Sequence, residues 1–251
     1  MAWWQRLMLA LAALLLNVAR AAEEPADPLD SVQWPTMRRM FFPQAPLRFD
    51  ERVRVSVPKA AEDPLRVPVT VRYDALTEVR EVLVFIDFNP IPPVLRLRPH
   101  NLKPHLGFHV RVQQATPIRA AVRTADGLWH VGGAWVDAPG GGCTMPPNQS
   151  SRLADELIGQ VRGRHWPLAE GGNRLKFQIL HPNDTGLVAG VPPFFVESLK
   201  VEDAAGQMLA EMELFPPLSE SPLLTLESAA AGPYKVSGRD SSGTRIEKVL
   251  P

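Results

Sequence analysis

The distribution of proline constrains the fold of this chain more than any other feature of its sequence. The chain has 26 prolines among 251 residues, and they are scattered between short apolar runs instead of forming one tract. Proline removes a main-chain donor and breaks helices, but it is tolerated at turns and strand ends. The sequence therefore favours a β-rich fold with many corners and disfavours long helices.

The runs between these prolines in the first half alternate between apolar and polar side chains, as half-buried strands do. Two of them flank Ala125-Asp126-Gly127, and an Asp-Gly pair between two strands predicts a hairpin. This spacing is typical of an immunoglobulin-like sandwich. The seven predicted strands are 52–57, 67–73, 81–88, 94–98, 108–112, 118–124 and 128–138.

The second half returns to the same pattern, with five or six strands predicted between residues 161 and 251. We therefore predict an all-β fold of two immunoglobulin-like β-sandwich domains, 51–143 and 161–251, joined by a Gly/Pro-rich linker, 144–160. Within the linker, residues 152–159 are predicted as a short helix capped by Ser151. The halves share no obvious sequence period, so a tandem repeat is not predicted.

Residues 1–21 have the pattern of a secretory signal peptide. A positive start with Arg6 precedes an apolar run of about ten residues, which is too short to span a bilayer. Small residues at Ala19 and Ala21 predict cleavage after Ala21, and so export to the periplasm. No other stretch is apolar enough to cross a membrane, so we expect no membrane contact after cleavage. Residues 22–50, rich in proline and charge, are predicted as a lead-in segment.

The charge balance and the absence of common motifs exclude several classes of function. Lys+Arg and Asp+Glu both total 27, and a nucleic-acid binder would show a basic excess. The sequence has no phosphate loop, no dinucleotide-binding motif and no nucleophile elbow. We therefore predict neither an enzyme nor a cofactor, and no nucleic-acid partner.

Cys143 is the only cysteine of the chain, and it follows Gly140, Gly141 and Gly142 in the stretch DAPGGGCTMPPNQ. Glycines permit backbone angles that other residues avoid, so this segment predicts an exposed, mobile thiol. An unpaired cysteine in an exported protein suggests a reactive group or an intermolecular disulfide. No Lys, Arg or His lies within five residues of it. An incidental loop thiol, a reactive thiol and a Cys143 disulfide dimer all remain open at this point.

Two histidine-containing stretches are candidates for a metal site or an active site. His100, His105 and His109 lie close in sequence, but their segment, residues 98–110, is interrupted by two prolines and a glycine and contains no carboxylate, so no metal site is predicted. A blue-copper site is not predicted either, because Met145 follows Cys143 with no histidine between them. The stretch HPNDTG, residues 181–186, is predicted as a polar turn, with an Asp-His active site as the less favoured reading.

The first half resembles the SoxY sulfur-carrier proteins of thiosulfate oxidation. The resemblance rests on the opening strands in VRVSVPKAAEDPLRVPVTVRYD, the motif Asn89-Pro90-Ile91-Pro92, and the hairpin IRAAVRTADGLWHV followed by a glycine-flanked cysteine. The second half resembles the partner protein SoxZ in HPNDTG, in PPFFVESLKVEDAAGQML and in the closing GPYKVSGRDSSGTR. Together the two matches cover about residues 50–143 and 160–251.

This resemblance implies a carrier and not a catalyst. Cys143 would be the attachment site for a sulfur intermediate, Gly140 to Gly142 the carrier arm, and residues 181–186 structural. Separate periplasmic redox or sulfur-oxidising enzymes would act on the cargo. Fused chains of this kind resemble carriers found alongside quinoprotein alcohol dehydrogenases, so such an enzyme is a second expected partner. The alternative is a non-covalent assembly module for that dehydrogenase.

Overall fold

The computed structural model describes residues 26–145 and 154–251, and within them it is almost entirely β. The predicted signal peptide and Ser151 lie outside these residues. One helix, α1 (Trp34–Phe41), precedes the strands, and the predicted linker helix is a single 3-10 turn, Asp155–Leu157. The strands are β1 Leu47–Phe49, β2 Arg54–Ser56, β3 Val67–Arg72, β4 Val79–Ile86, β5 Pro93–Pro99, β6 Leu102–Val110, β7 Thr116–Thr124, β8 Trp129–Val136, β9 Val161–Pro167, β10 Asn173–Ile179, β11 Val196–Glu202, β12 Met208–Leu214, β13 Leu223–Ser228, β14 Tyr234–Asp240 and β15 Arg245–Leu250.

The two halves have the same strand arrangement, which confirms the immunoglobulin-like prediction. In the first half β2, β3 and β6 form one sheet, while β5, β4, β7 and β8 form the other. The second half repeats this with β9, β10 and β13 against β12, β11, β14 and β15. A short parallel strand, β1, is added beside β8. The two halves are therefore a structural repeat, although their sequences show no obvious repeat.

Both sheets run without interruption from one half into the other. Strand β5 pairs antiparallel with β12, so that Leu95 lies opposite Leu214, and β6 pairs antiparallel with β13, so that Leu106 lies opposite Leu226. The result is a nine-stranded sheet facing a six-stranded sheet, with one apolar core that extends through both halves. The halves are joined edge to edge, and the boundaries predicted for two separate domains stay a prediction.

The segment predicted as a lead-in packs against the outer face of the larger sheet. Trp34 and Phe42 form a second apolar cluster with Phe85 and Trp129 of β4 and β8. Beside it, the buried guanidinium of Arg119 donates hydrogen bonds to Asp87 and to Asp27 of this segment. The aromatic residues of the segment pack it against the sheet, and this packing was not predicted from the sequence.

The predicted β7–β8 hairpin is present and directs the chain toward the cysteine. Gly127 has a φ of +83°, which favours glycine, and Asp126 accepts a hydrogen bond from the Leu128 amide. Strand β8 then ends at Val136, and residues 137–145, which we call the cysteine loop, follow it. This loop contacts the β6–β7 connection and the β10–β11 connection. No helix of the described residues is both long and apolar enough to span a membrane.

Candidate functional site

The three glycines before Cys143 fit the cysteine loop closely against the first half. Gly140 and Gly141 have φ values of +100° and +87°, in the region that favours glycine. A Cβ on Gly142 would collide with the carbonyl oxygens of Pro64 and Val112. These glycines were expected to form a mobile arm. In the structure they allow the main chain of the loop to approach Pro64, Val112 and Gln113 closely.

Gln113, in the β6–β7 connection, holds this loop with both its main chain and its side chain. Its carbonyl oxygen accepts the Gly141 amide at 2.9 Å, and its side-chain oxygen accepts the Cys143 amide at 3.2 Å. Its side-chain nitrogen donates to the Thr144 hydroxyl at 3.2 Å. The Gly142 amide donates to the Val112 carbonyl at 3.1 Å. The loop is therefore bonded to the main chain of the β6–β7 connection, although it forms no strand.

Cys143 is buried, which corrects the expectation of an exposed thiol. It is only 2% exposed, and its Sγ lies 3.8 Å from the carbonyl oxygen of Arg111, to which the thiol donates. From the second half, the Thr185 hydroxyl donates to the Cys143 carbonyl at 2.9 Å. A disulfide between two copies would require Cys143 to leave this position. We call the surrounding groups, namely the carbonyls of Pro64, Arg111 and Val112 with the side chains of Gln113 and Thr185, the Cys143 pocket.

Burial also determines the protonation of the thiol. It raises the pKa of Cys143 to about 12, and the positive charge of Arg111 opposes this rise only in part. The thiol is therefore fully protonated at neutral pH and is a poor nucleophile while it stays in the pocket. Sequence inspection found no cation near Cys143 because Arg111 lies 32 residues earlier in the chain.

Arg111 ties the two halves together directly beneath the cysteine. Its guanidinium donates to the carbonyls of Asn183 at 2.9 Å and of Pro182 at 3.2 Å. The side chain is 7% exposed, and burial lowers its pKa from the ordinary arginine value. Its own carbonyl accepts a hydrogen bond from the Asn89 side chain at 2.8 Å. The Asn-Pro-x-Pro motif thus positions the main chain on which the thiol rests.

The stretch 181–186, predicted as a polar turn, forms the corner that follows β10, but three of its six residues, His181, Asn183 and Thr185, are buried. Asn183 has a φ of +51°, donates to the Leu218 carbonyl at 2.7 Å and accepts from the Val196 amide at 3.1 Å. His181 is fully buried, and burial lowers its pKa to about 4, so its neutral ring accepts the Asn183 amide at 3.0 Å. The carboxylate beside His181 is that of Asp240, at 3.7 Å. A fully buried, neutral histidine in this position has no access to a substrate.

The three histidines of residues 98–110 do not converge. His100 lies 3.2 Å from Glu211 at the junction of the halves, and His105 lies 3.8 Å from Glu227 on the outer face of the smaller sheet. The ring of His109 is half-buried, and burial lowers its pKa. Within residues 26–145 and 154–251, no group of three or more His, Cys, Asp or Glu side chains is arranged to hold a metal ion.

Comparison with known protein families concerns the first half and ends at this pocket. Residues 37–143 match the model of the family described as sulfur oxidation protein SoxY. The matched segment is 107 of the 251 residues, and its last residue is Cys143. No curated protein matches the chain. The resemblance of the second half to SoxZ therefore stays a prediction.

Among solved structures, the chain is similar to the sulfur carrier protein SoxY from Chlorobium limicola f thiosulfatophilum. The TM-score is 0.37 and the sequence identity is 19%. The similarity covers 42% of this chain and 96% of that one.

Proposed function

We propose that this protein is a periplasmic sulfur carrier that holds a sulfur-containing intermediate covalently on Cys143. One observation supports this most: the segment that matches the SoxY family ends at Cys143, the one cysteine of the chain. The cysteine loop that bears it belongs to neither sheet, and its hydrogen bonds with Val112, Gln113 and Thr185 lie outside the strand pairings. Release of this loop would therefore break no strand pairing of either sheet.

The chemistry of loading assigns a class of partner to this carrier. Joining the Cys143 thiol to the outer sulfur of thiosulfate forms one S–S bond and releases one proton and two electrons. Those two electrons need an acceptor, which a partner redox enzyme would supply. We therefore infer that periplasmic redox or sulfur-oxidising enzymes load and unload the protein, and that it is not itself a catalyst.

The burial of Cys143 supports one second candidate. A thiol that is 2% exposed and hydrogen-bonded is also what an inert structural cysteine would look like. In that case the protein is a non-covalent assembly module, for which a periplasmic quinoprotein dehydrogenase is the expected partner. The two candidates differ in whether Cys143 ever carries a group.

The intact mass of the protein, purified from the periplasm without reductant, separates the two candidates. The carrier function predicts a mass excess that reductant removes, that maps to Cys143 and that is absent from Cys143→Ser. The matched control is the same wild-type sample after reduction. A free thiol in every preparation, including those from cells oxidising thiosulfate, would contradict the carrier function and favour the assembly module.

A further inference from the structure

The Cys143 pocket leaves no polar main-chain atom of the cysteine free. The amide is taken by Gln113 and the carbonyl by Thr185, so the residue is bound from both halves of the sandwich. Gly142 just before it has no room even for a Cβ between two carbonyls. Residues 142 and 143 are therefore closely packed against Pro64, Val112, Gln113 and Thr185.

The hydrogen bond that the sulfur makes within the described residues is specific to a thiol. Sγ lies 3.8 Å from the Arg111 carbonyl oxygen, an acceptor that already receives a hydrogen bond from Asn89. A thiol has a hydrogen to donate to this oxygen, whereas a sulfur bonded to a second sulfur has none. The loaded sulfur would instead face the oxygen lone pairs, and its extra atoms would need space in a position that is 2% exposed.

A charged cargo would be disfavoured further. Burial costs a charged group its hydration, and nearby cations offset that cost only when they pair with it. Arg111, a cation whose charge acts on Cys143, already donates to the carbonyls of Pro182 and Asn183. The Nε of Arg111 is buried and has no hydrogen-bond partner among the described residues. Even so, burial raises the pKa of Cys143 by more than the charge of Arg111 lowers it, so the neutral thiol is favoured.

We propose that the Cys143 pocket is specific for the unloaded thiol, and that attachment of a sulfur group to Cys143 releases the cysteine loop from its hydrogen bonds with Val112, Gln113 and Thr185. For its biological role this rests on the proposed carrier function. The empty carrier is then closed, with its thiol protected from stray oxidation in an oxidising compartment. The loaded carrier is open, with the cargo presented to a partner enzyme. Thr185 and Gln113 hold the closed form, and the loss of their bonds to Cys143 marks the open form.

The proposal is testable with a chemically made adduct. The Cys143 thiolate attacks an inner sulfur of tetrathionate, the central S–S bond breaks, and thiosulfate leaves with the electron pair, so that Cys143 carries –S–SO₃⁻. The reaction is run in denaturant and the protein is refolded, so that burial of the thiol does not prevent it. Cys143→Ala, treated identically, is the matched control, because it has no sulfur to modify and its side chain is small enough for the pocket.

The readout is hydrogen exchange at the amides of Gly141, Gly142 and Cys143, each of which donates a hydrogen bond in the closed loop. We expect the adduct to speed exchange of these amides at least tenfold, while Cys143→Ala stays within a few-fold of the unmodified protein. Unchanged protection in the adduct would overturn the proposal. So would general loss of protection in core strand β4, because the adduct would then disrupt the fold and not only the loop. Since the adduct is synthetic, the result is independent of whether the native protein carries cargo.

Discussion

The hydroxyl of Thr185 donates a hydrogen bond to the main-chain carbonyl of Cys143 at 2.9 Å, across the junction between the two halves of the sandwich. The same hydroxyl accepts the amide of Leu187 at 3.2 Å, so it is fixed by the corner that follows Asn183. The second half therefore controls the position of the thiol that the first half provides. This contact gives the second half a role in holding the cysteine loop in place.

Thr185→Val is expected to loosen the cysteine loop. It leaves the buried carbonyl of Cys143 without its donor, which costs about 1–3 kcal/mol. We expect the rate at which the folded protein reacts with a thiol reagent to rise by about tenfold, since ~1.4 kcal/mol corresponds to a factor of ten. Thr185→Ser keeps the hydroxyl and should react like wild type. Equal rates in all three proteins would show that this hydrogen bond does not hold the loop.

The stability of the protein is expected to fall with rising pH because of Cys143. The folded-state pKa of its thiol is about 12, above the ordinary value of about 8.5 in an unfolded chain. A raised acid pKa stabilises the protonated folded state below pH 8.5, and this contribution is lost as pH rises toward 12. The free energy of unfolding of wild type relative to Cys143→Ser should therefore be constant up to about pH 8 and decline above it. A difference that is independent of pH between 7 and 10.5 would contradict the buried thiol.

Asn183→Ala is expected to destabilise the protein by about 3 kcal/mol, because two buried hydrogen bonds are lost and alanine disfavours a φ of +51°. Asn183→Gly loses the same hydrogen bonds but fits the backbone, so it should be more stable than Asn183→Ala by about 1 kcal/mol. Chemical denaturation of the two variants measures this difference. If glycine is no better than alanine, backbone strain does not contribute at this corner.

The two halves are expected to unfold together. Separating them would expose the edges of four strands, β5, β6, β12 and β13, and would divide one apolar core. We predict a single cooperative transition in thermal and chemical unfolding, with fluorescence and circular dichroism giving the same midpoint. Two separate transitions would mean that the halves are independent domains whose contact contributes little.

Much of the fold was predictable because local pattern determines it. Alternating side chains gave the strands, and the Asp126-Gly127 pair gave the hairpin whose second strand leads to Cys143. The edge-to-edge joining of the halves was not predictable in this way. Strands β5 and β12 alternate like any other strands, and nothing local indicates that each has the other as its neighbour.

The burial of Cys143 was also beyond local reasoning, and for a related reason. Its own segment consists of residues that favour an exposed, mobile chain, and this predicted a free arm. The groups that bury it come from elsewhere: Gln113 is 30 residues away in sequence and Thr185 is 42 away. Gly142 allows the chain to approach the carbonyl oxygens of Pro64 and Val112 closely. A run of glycines looks the same in the sequence whether it allows close packing or makes the chain mobile.

The most direct test of the account is the rate at which Cys143 of the folded wild-type protein reacts with a small disulfide reagent, compared with the unfolded protein. A carrier that opens from a closed state predicts a reaction that is slow but goes to completion without unfolding, monitored by intact mass and by circular dichroism. A thiol that stays unmodified for as long as the protein is folded would contradict a carrier role for Cys143.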